Sequence, residues 1–114
     1  RLTKVEAELT ALEFTQLRIL STQVAGDDKP DPRSSVLKLR GSMIQQDISE
    51  LMMDVLGPQG IDFVDSREVP TGFTTLPPGA VDAGPHYYNY RKVTIYGGSS
   101  EVQRSIISKA LLGL

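Results

Sequence analysis

The chain has 114 residues, enough for one domain with a modest core of its own. Its 12 Lys and Arg against 14 Asp and Glu give a formal net charge of −2, which excludes a general electrostatic attraction to nucleic acid. The absence of cysteine excludes disulfides and thiolate metal sites, and we expect a reducing, cytoplasmic setting. No apolar run approaches the roughly 20 residues that a membrane span needs.

The first segment, residues 1–25, has the periodicity of an amphipathic helix. Its apolar residues are spaced by three, four or seven positions at Leu2, Val5, Leu9, Leu12 and Ile19. A second set widens this stripe, which predicts neighbours on two sides: Phe14, Leu17 and Leu20. The chain opens without Met inside this pattern, so we expect it to be part of a longer protein.

A second helix is predicted after the polar segment GDDKPDP at 26–32. Asp31 followed by Pro32 is a favourable opening, because the aspartate can cap the helix and proline needs no N–H at the first position. Gly57 and Pro58 end it after about Leu56. The residues expected to face the core are Val36, Met43, Ile44, Ile48, Leu51, Met52 and Val55.

Residues 57–85 are rich in Pro and Gly without a helical period, which predicts a long irregular loop. The following segment, 86–96, contains four tyrosines and suits a strand or a helix. The spacing of Tyr87, Tyr90 and Thr94 favours a short helix. His86 is the only histidine of the chain, so no metal site is expected.

The last helix is predicted to begin at the serines, with Ser100 and Gln103 forming a capping box. Its apolar stripe is Val102, Ile106, Ala110 and Leu114, widened by Ile107 and Leu111. These elements predict an all-α, antiparallel up-and-down helical bundle that occupies residues 1–114 as a single domain. Two glycines, Gly97 and Gly98, precede this helix, either as an ordinary turn or where backbone passes close to a ligand.

Two segments resemble one enzyme family. The ending IYGGSSEVQRSIISKALLGL, residues 95–114, is similar to the C-terminal signature of the acyl-CoA dehydrogenases, which reads Ile-Tyr-Glu/Gly-Gly-Thr-x-Glu-Ile-Gln-Arg before an apolar helix. The segment DISELMMDVLGPQG, residues 47–60, resembles the family's Gln-x-x-Gly-Gly-x-Gly segment and occurs in the family's order. The resemblance covers essentially the whole chain except residues 61–86.

This resemblance implies the C-terminal helical domain of a flavoprotein that oxidises an acyl-CoA to its 2,3-enoyl form. A carboxylate removes a proton from Cα while hydride passes from Cβ to FAD. The expected partners are the acyl-CoA substrate, an electron-transfer flavoprotein as electron acceptor, and sister subunits in a dimer, a tetramer or a mixed assembly. The charge balance and the lack of a long apolar run predict neither a nucleic-acid partner nor a membrane span.

The resemblance also implies roles for particular residues. Those at Ser99, Ser100 and Glu101 contact FAD, and the residues Tyr96, Gly97 and Gly98 line the acyl-CoA site. Asp54 and Gly57 correspond to positions that reach the FAD of a neighbouring subunit. Here Asp54 replaces the usual Gln and Pro58 replaces the second Gly, so a plain helix terminus is the alternative for this pair.

The family's catalytic glutamate corresponds to Gly97, which cannot accept a proton, so no catalytic residue is assigned within this chain. Either the base lies on an earlier helix, before Arg1, or the full-length protein is a non-catalytic partner in a mixed assembly. A catalytically silent helical assembly module is therefore the alternative function. An unrelated four-helix interaction domain would require the ending to be a coincidence.

Overall fold

The computed structural model describes residues 1–23, 31–61 and 80–113. Within these ranges the chain forms four α-helices and no strand: α1 (Leu2–Gln23), α2 (Arg33–Leu56), α3 (Ala80–Tyr90) and α4 (Ser100–Ile107). Short 3₁₀ turns follow α2 and α3, at Gly57–Gly60 and Arg91–Thr94, and a π-helical turn continues α4 over Ser108–Leu112. The predicted all-α helical class is confirmed.

Two compact units divide the chain. One combines Arg1–Ile44 with Val93–Leu114, and the other is Gln45–Lys92. Helix α2 contributes its first part to one unit and its second part to the other. The assignment of residues 1–114 to a single domain stays a prediction. Among the described helices, none combines the length and apolar character that a membrane crossing requires.

The start of α2 follows from its capping residues, as predicted. The backbone N–H of Arg33 donates to Asp31 Oδ1 at 2.8 Å, and the Arg33 Nε donates to the same oxygen at 2.9 Å. These hydrogen bonds lower the pKa of Asp31, because they stabilise its charged form. Most of the predicted break at 26–32 lies outside the described residues, but both predicted ends of α2 agree with the structure to within two residues.

The face that α2 buries differs from the predicted one. Ile44 is buried, but its buried neighbours on the helix are Ser35, Ser42 and Ser49. Val36 and Leu51 are half-buried, whereas the remaining predicted core residues are exposed: Met43, Ile48, Met52 and Val55. Small side chains allow close backbone approach, and two of the buried serines bond to helix carbonyls, Ser42 to Lys38 O at 2.7 Å and Ser49 to Gln46 O at 2.8 Å. Periodicity therefore identified the helix without identifying its inner face.

Helix α1 likewise buries little of its predicted stripe. Val5 and Ile19 are buried and Leu12 is half-buried, while the others are exposed: Leu2, Leu9, Phe14, Leu17 and Leu20. Its contact with the first part of α2 is partly polar, since Arg40 forms an ion pair with Glu8 at 3.3 Å. A Cβ atom on Gly41 of α2 would lie 3.7 Å from Leu12 Cδ2, so the two helices are close at this point.

Helix α3 begins at Ala80, six residues before the predicted start, and includes Pro85. The structure thus corrects the prediction of irregular chain over 57–85 at both ends, because residues 57–60 also form a 3₁₀ turn. The buried residues Ala83 and Gly84 lie one helical turn after the buried Ala80, so the three form a narrow face that can pack closely. The helix continues through Pro85 to Tyr90. Residues 62–79 lie outside the described part of the chain.

Candidate functional site

The glycine turn before α4 has two residues in the left-handed region. Gly97 has φ 70° and Gly98 has φ 92°, conformations that residues with a Cβ rarely adopt. Their surroundings differ. A Cβ on Gly97 would meet nothing within 4 Å, whereas a Cβ on Gly98 would lie 2.6 Å from the Gln103 Nε2. Gly97 is therefore open where a side chain would lie, while the corresponding space at Gly98 is occupied by the Gln103 side chain.

The residue that caps α4 is Ser99, which corrects the predicted capping by Ser100. The Ser99 side chain accepts a hydrogen bond from the backbone N–H of Val102 at 3.4 Å, and Ser100 is the first residue of the helix. The Ser100 Oγ lies 3.5 Å from the Thr94 carbonyl oxygen, to which it donates. The predicted capping box is wrong, because Gln103 donates its side-chain amide to the Gly97 carbonyl at 3.3 Å.

Glu101 brings a negative charge to the first turn of α4. Hydrogen bonds from its own backbone N–H and from the Ser99 hydroxyl lower the pKa of Glu101, and Arg104 adds a smaller effect. Its nearest cationic group, the Arg104 Nη1, is 3.8 Å away, and the Glu101 side chain is 79% exposed. The start of α4 therefore presents hydroxyl groups and an ionised carboxylate to its surroundings.

The predicted acyl-CoA-lining residues lie directly before this helix start. Tyr96 is 52% exposed, and Gly97 is exposed as well. The residues predicted to contact substrate and those predicted to contact cofactor thus form one continuous segment, Tyr96–Glu101, within one compact unit. Gly97 offers no proton acceptor there.

The other predicted cofactor pair, Asp54 and Gly57, belongs to the second compact unit. Both residues line an open cavity of about 470 Å³, together with Glu50, Tyr87 and Tyr88. Glu50 and Asp54 are one helical turn apart on α2, so the cavity has two carboxylates on one side.

Two side chains with precise hydrogen-bonding roles were missed by the sequence reasoning. Gln103 belongs to the EVQR motif, but its spacing from Ser100 predicted a role in a capping box. Arg91 had no sequence signal. Its guanidinium carbon lies 4.3 Å from the Tyr87 ring centroid, and its Nη2 donates to Ser49 Oγ at 3.0 Å and to Gln46 O at 3.2 Å. Arg91 therefore holds Tyr87 at the edge of the cavity.

The described residues contain no group of three side chains able to hold a metal ion. His86 instead stacks on Tyr90, with ring centroids 3.8 Å apart.

A family model described as the C-terminal domain of acyl-CoA dehydrogenase matches residues 1–112. The chain belongs to this family. It is 31% identical over 106 residues to the acyl-CoA dehydrogenase IpdE1 of Mycobacterium tuberculosis, a match that covers 92% of this chain and 24% of that protein. It is 30% identical over 115 residues to the acyl-CoA dehydrogenase IpdE1 of Mycolicibacterium smegmatis, covering 100% of this chain and 24% of that protein.

This acyl-CoA dehydrogenase C-terminal domain thus spans 24% of the length of the curated relatives it matches. No solved structure matches the chain significantly. The resemblance predicted from residues 95–114 and 47–60 is confirmed by the family match, which extends over nearly the whole chain.

Proposed function

We propose that this chain is the C-terminal domain of an FAD-dependent acyl-CoA dehydrogenase that oxidises an acyl-CoA to the 2,3-enoyl-CoA. In this role the domain contributes contacts to the flavin and the acyl-CoA and a subunit interface. The observation that carries the proposal is the segment Tyr96–Glu101, in which an open glycine turn runs directly into the hydroxyl and carboxylate groups that begin α4.

The groups at the start of α4 fit part of FAD. The protons of the Ser99 and Ser100 hydroxyls are donated within the protein, to Glu101 and to the Thr94 carbonyl, so these oxygens and the ionised carboxylate of Glu101 are hydrogen-bond acceptors for a ligand. These groups suit the sugar hydroxyls of FAD, which donate, better than its pyrophosphate, which is negatively charged. The pair Asp54 and Gly57, which lines the cavity of the second compact unit, is proposed to reach the FAD of a neighbouring subunit. When bound, FAD supplies the acceptor for the hydride that leaves the substrate.

The open surroundings of Gly97 support the proposal that the acyl-CoA binds beside it. Its open side allows a flat thioester group to approach the backbone without meeting a side chain. Because Gly97 cannot take the proton from Cα, the base comes from a part of the full-length protein outside this chain. The contribution of this chain is therefore limited to binding and orienting the substrate.

A second candidate is a catalytically silent subunit of a mixed acyl-CoA dehydrogenase assembly. The open space beside Gly97 favours it, because a partner could fill that space with the missing carboxylate. The exposed apolar side chains of α1, such as Phe14 and Leu17, support a subunit or domain interface in either case. For the active dehydrogenase, the proposal includes an electron-transfer flavoprotein as electron acceptor and a cytoplasmic location.

The deciding experiment uses the full-length protein that contains this chain, purified alone. We would quantify bound FAD and follow the loss of its visible absorption on adding straight-chain, dicarboxylic and steroid-ring acyl-CoAs. Bleaching by at least one of them is the expected result. Bound FAD without bleaching would favour the silent subunit, and a full-length protein that retains no FAD when purified alone would contradict the first candidate.

The flavin contacts are tested by the double variant Ser99→Ala/Glu101→Gln, with Glu13→Gln on the exposed surface of α1 as control. The double variant should retain FAD about tenfold more weakly, since two polar contacts together contribute on the order of 1–2 kcal/mol. The control should match the wild type. Equal FAD affinity in all three proteins would remove these residues from the flavin site.

A further inference from the structure

Gln103 is the buried polar residue of α4. Gln103 is only 9% exposed, while the apolar residues Val102 and Ile106 of the same helix are 52% and 42% exposed. An amphipathic helix would be expected to bury the apolar residues and expose the amide. A buried amide is costly unless it is hydrogen-bonded, so this inverted placement indicates that the amide has a specific partner.

That partner is the glycine turn. The Gln103 Nε2 donates to the Gly97 carbonyl at 3.3 Å, across six residues of sequence. The same amide lies against Gly98, where a Cβ would come within 2.6 Å of Nε2 and 3.7 Å of Cδ. Gln103 therefore bonds to one glycine and packs on the next.

Two consecutive glycines leave a turn with little conformational preference of its own. Because the peptide unit is planar, a hydrogen bond to the Gly97 carbonyl restrains the whole plane between Gly97 and Gly98. Ser99 holds the other side of the turn, since its carbonyl accepts from the Gln103 backbone N–H at 3.0 Å and its hydroxyl caps the helix. Both the backbone and the side chain of Gln103 thus tie the turn to α4.

We infer that Gln103 is a positioning residue, whose amide sets the orientation of the Gly97–Gly98 peptide at the acyl-CoA site. The inference rests on the proposed function, because that function makes this turn a wall of the site. It also separates the roles of the two glycines. Gly97 remains accessible to a ligand, while Gly98 combines a φ of 92° with a Gln103 amide that occupies the place of its side chain.

The test uses the full-length protein with bound FAD and the variant Gln103→Glu, which keeps the shape but lacks a donor when ionised. The matched control is Gln46→Glu, because the Gln46 Nε2 also donates to backbone carbonyls, at 3.2 Å to Arg91 O and 3.4 Å to Tyr90 O. The probe is an acyl-CoA with sulfur in place of Cβ, which binds without being oxidised. The readouts are its Kd and the change it causes in the flavin absorption spectrum.

The Gln103→Glu variant should weaken probe binding about tenfold and alter the flavin difference spectrum, as expected for the loss of one aligned hydrogen bond. The Gln46→Glu variant should keep both readouts within about twofold of the wild type even where its melting temperature falls. Wild-type values in Gln103→Glu, or equal losses in both variants, would overturn the positioning role. A wild type that retains FAD but does not bind any acyl-CoA would instead overturn the proposed function.

A second measurement tests the contact without any ligand. We would measure the change in melting temperature for Gly98→Ala, Gln103→Ala and the double variant. The two single changes should not add up in the double variant, because removing the amide removes the atom that a new Cβ would meet. The double variant should then be more stable than the sum of the single effects predicts. Additive effects would contradict the contact between Gly98 and Gln103.

Discussion

Two turns of this molecule share one pattern and differ in chemistry. The turn after α2 has a left-handed glycine with an open side, Gly57 at φ 57°, followed by the buried Gly60. The turn before α4 has the open Gly97 followed by the crowded Gly98. In each turn one glycine remains accessible and a later one is packed against the protein.

The packed glycines have different neighbours. A Cβ on Gly60 would lie 3.1 Å from Leu56 Cβ and 3.2 Å from Met53 Sδ, so its surroundings are apolar and partly flexible. Gly98 faces an amide that is already hydrogen-bonded to the turn. Apolar contacts can adjust by small shifts, but moving the Gln103 amide costs a buried hydrogen bond. The turn before α4 is therefore the more strictly oriented of the two.

The largest expected difference between the two turns is the loss of stability when the packed glycine of each is replaced by alanine. Gly98→Ala combines left-handed strain with displacement of the Gln103 amide from its hydrogen bond and should destabilise the protein by roughly 2–3 kcal/mol, whereas Gly60→Ala should cost only about 1 kcal/mol. Gly97→Ala, with strain but no contact, should fall between them at about 1–2 kcal/mol. Thermal unfolding of the full-length variants measures the order, and equal losses for Gly60→Ala and Gly98→Ala would break the distinction.

The unit that contains the first turn depends on Arg91, which bonds to Ser49 and Gln46 and covers Tyr87. Arg91→Lys should cost about 1–3 kcal/mol, because an ammonium cannot reproduce the forked hydrogen bonds of a guanidinium. Arg104→Lys is the control, since its side chain is 67% exposed and its ion pair is long, at 3.8 Å. Chemical denaturation of both variants distinguishes them, and similar midpoints would argue against a structural role for Arg91.

The helix that follows the second turn allows a smaller test. Ser99→Ala removes the cap of α4 and should cost about 1 kcal/mol, while Ser100→Ala should cost only a few tenths. Amide hydrogen exchange in the first turn of α4 reports the difference directly. The reverse order would restore Ser100 as the cap.

The smallest expected effect is a dependence on pH. The folded protein lowers the pKa of Glu101 and of Asp31, so both groups contribute stability that is present above their ordinary pKa and is lost as the pH falls through the lowered values. Melting temperature should therefore decline in acid, and less steeply in Glu101→Gln and Asp31→Asn than in the wild type. Identical acid profiles for all three proteins would mean that these hydrogen bonds do not persist in solution.

Much of the secondary structure was predictable because its causes are local. Asp31 and Pro32 opened α2 and the glycine at 57 ended it, since caps and left-handed glycines act within a few residues. The start of α3 was not predictable in the same way. Pro85 and the nearby glycines suggested a loop, whereas the structure has a helix there that buries Ala80, Ala83 and Gly84.

The sequence by itself determined the all-α class, the ends of α2 and the family, because periodicity, capping and a contiguous motif are properties of neighbouring residues. Tertiary structure decided which face each helix buries and how the two glycines before α4 divide their roles. Met43 and Val55 are exposed while Ser42 and Ser49 are buried, a choice that depends on what packs against α2. The bond from Gln103 to Gly97 depends on how the chain turns back at Gly98, so only the folded geometry distinguishes a capping residue from a positioning one.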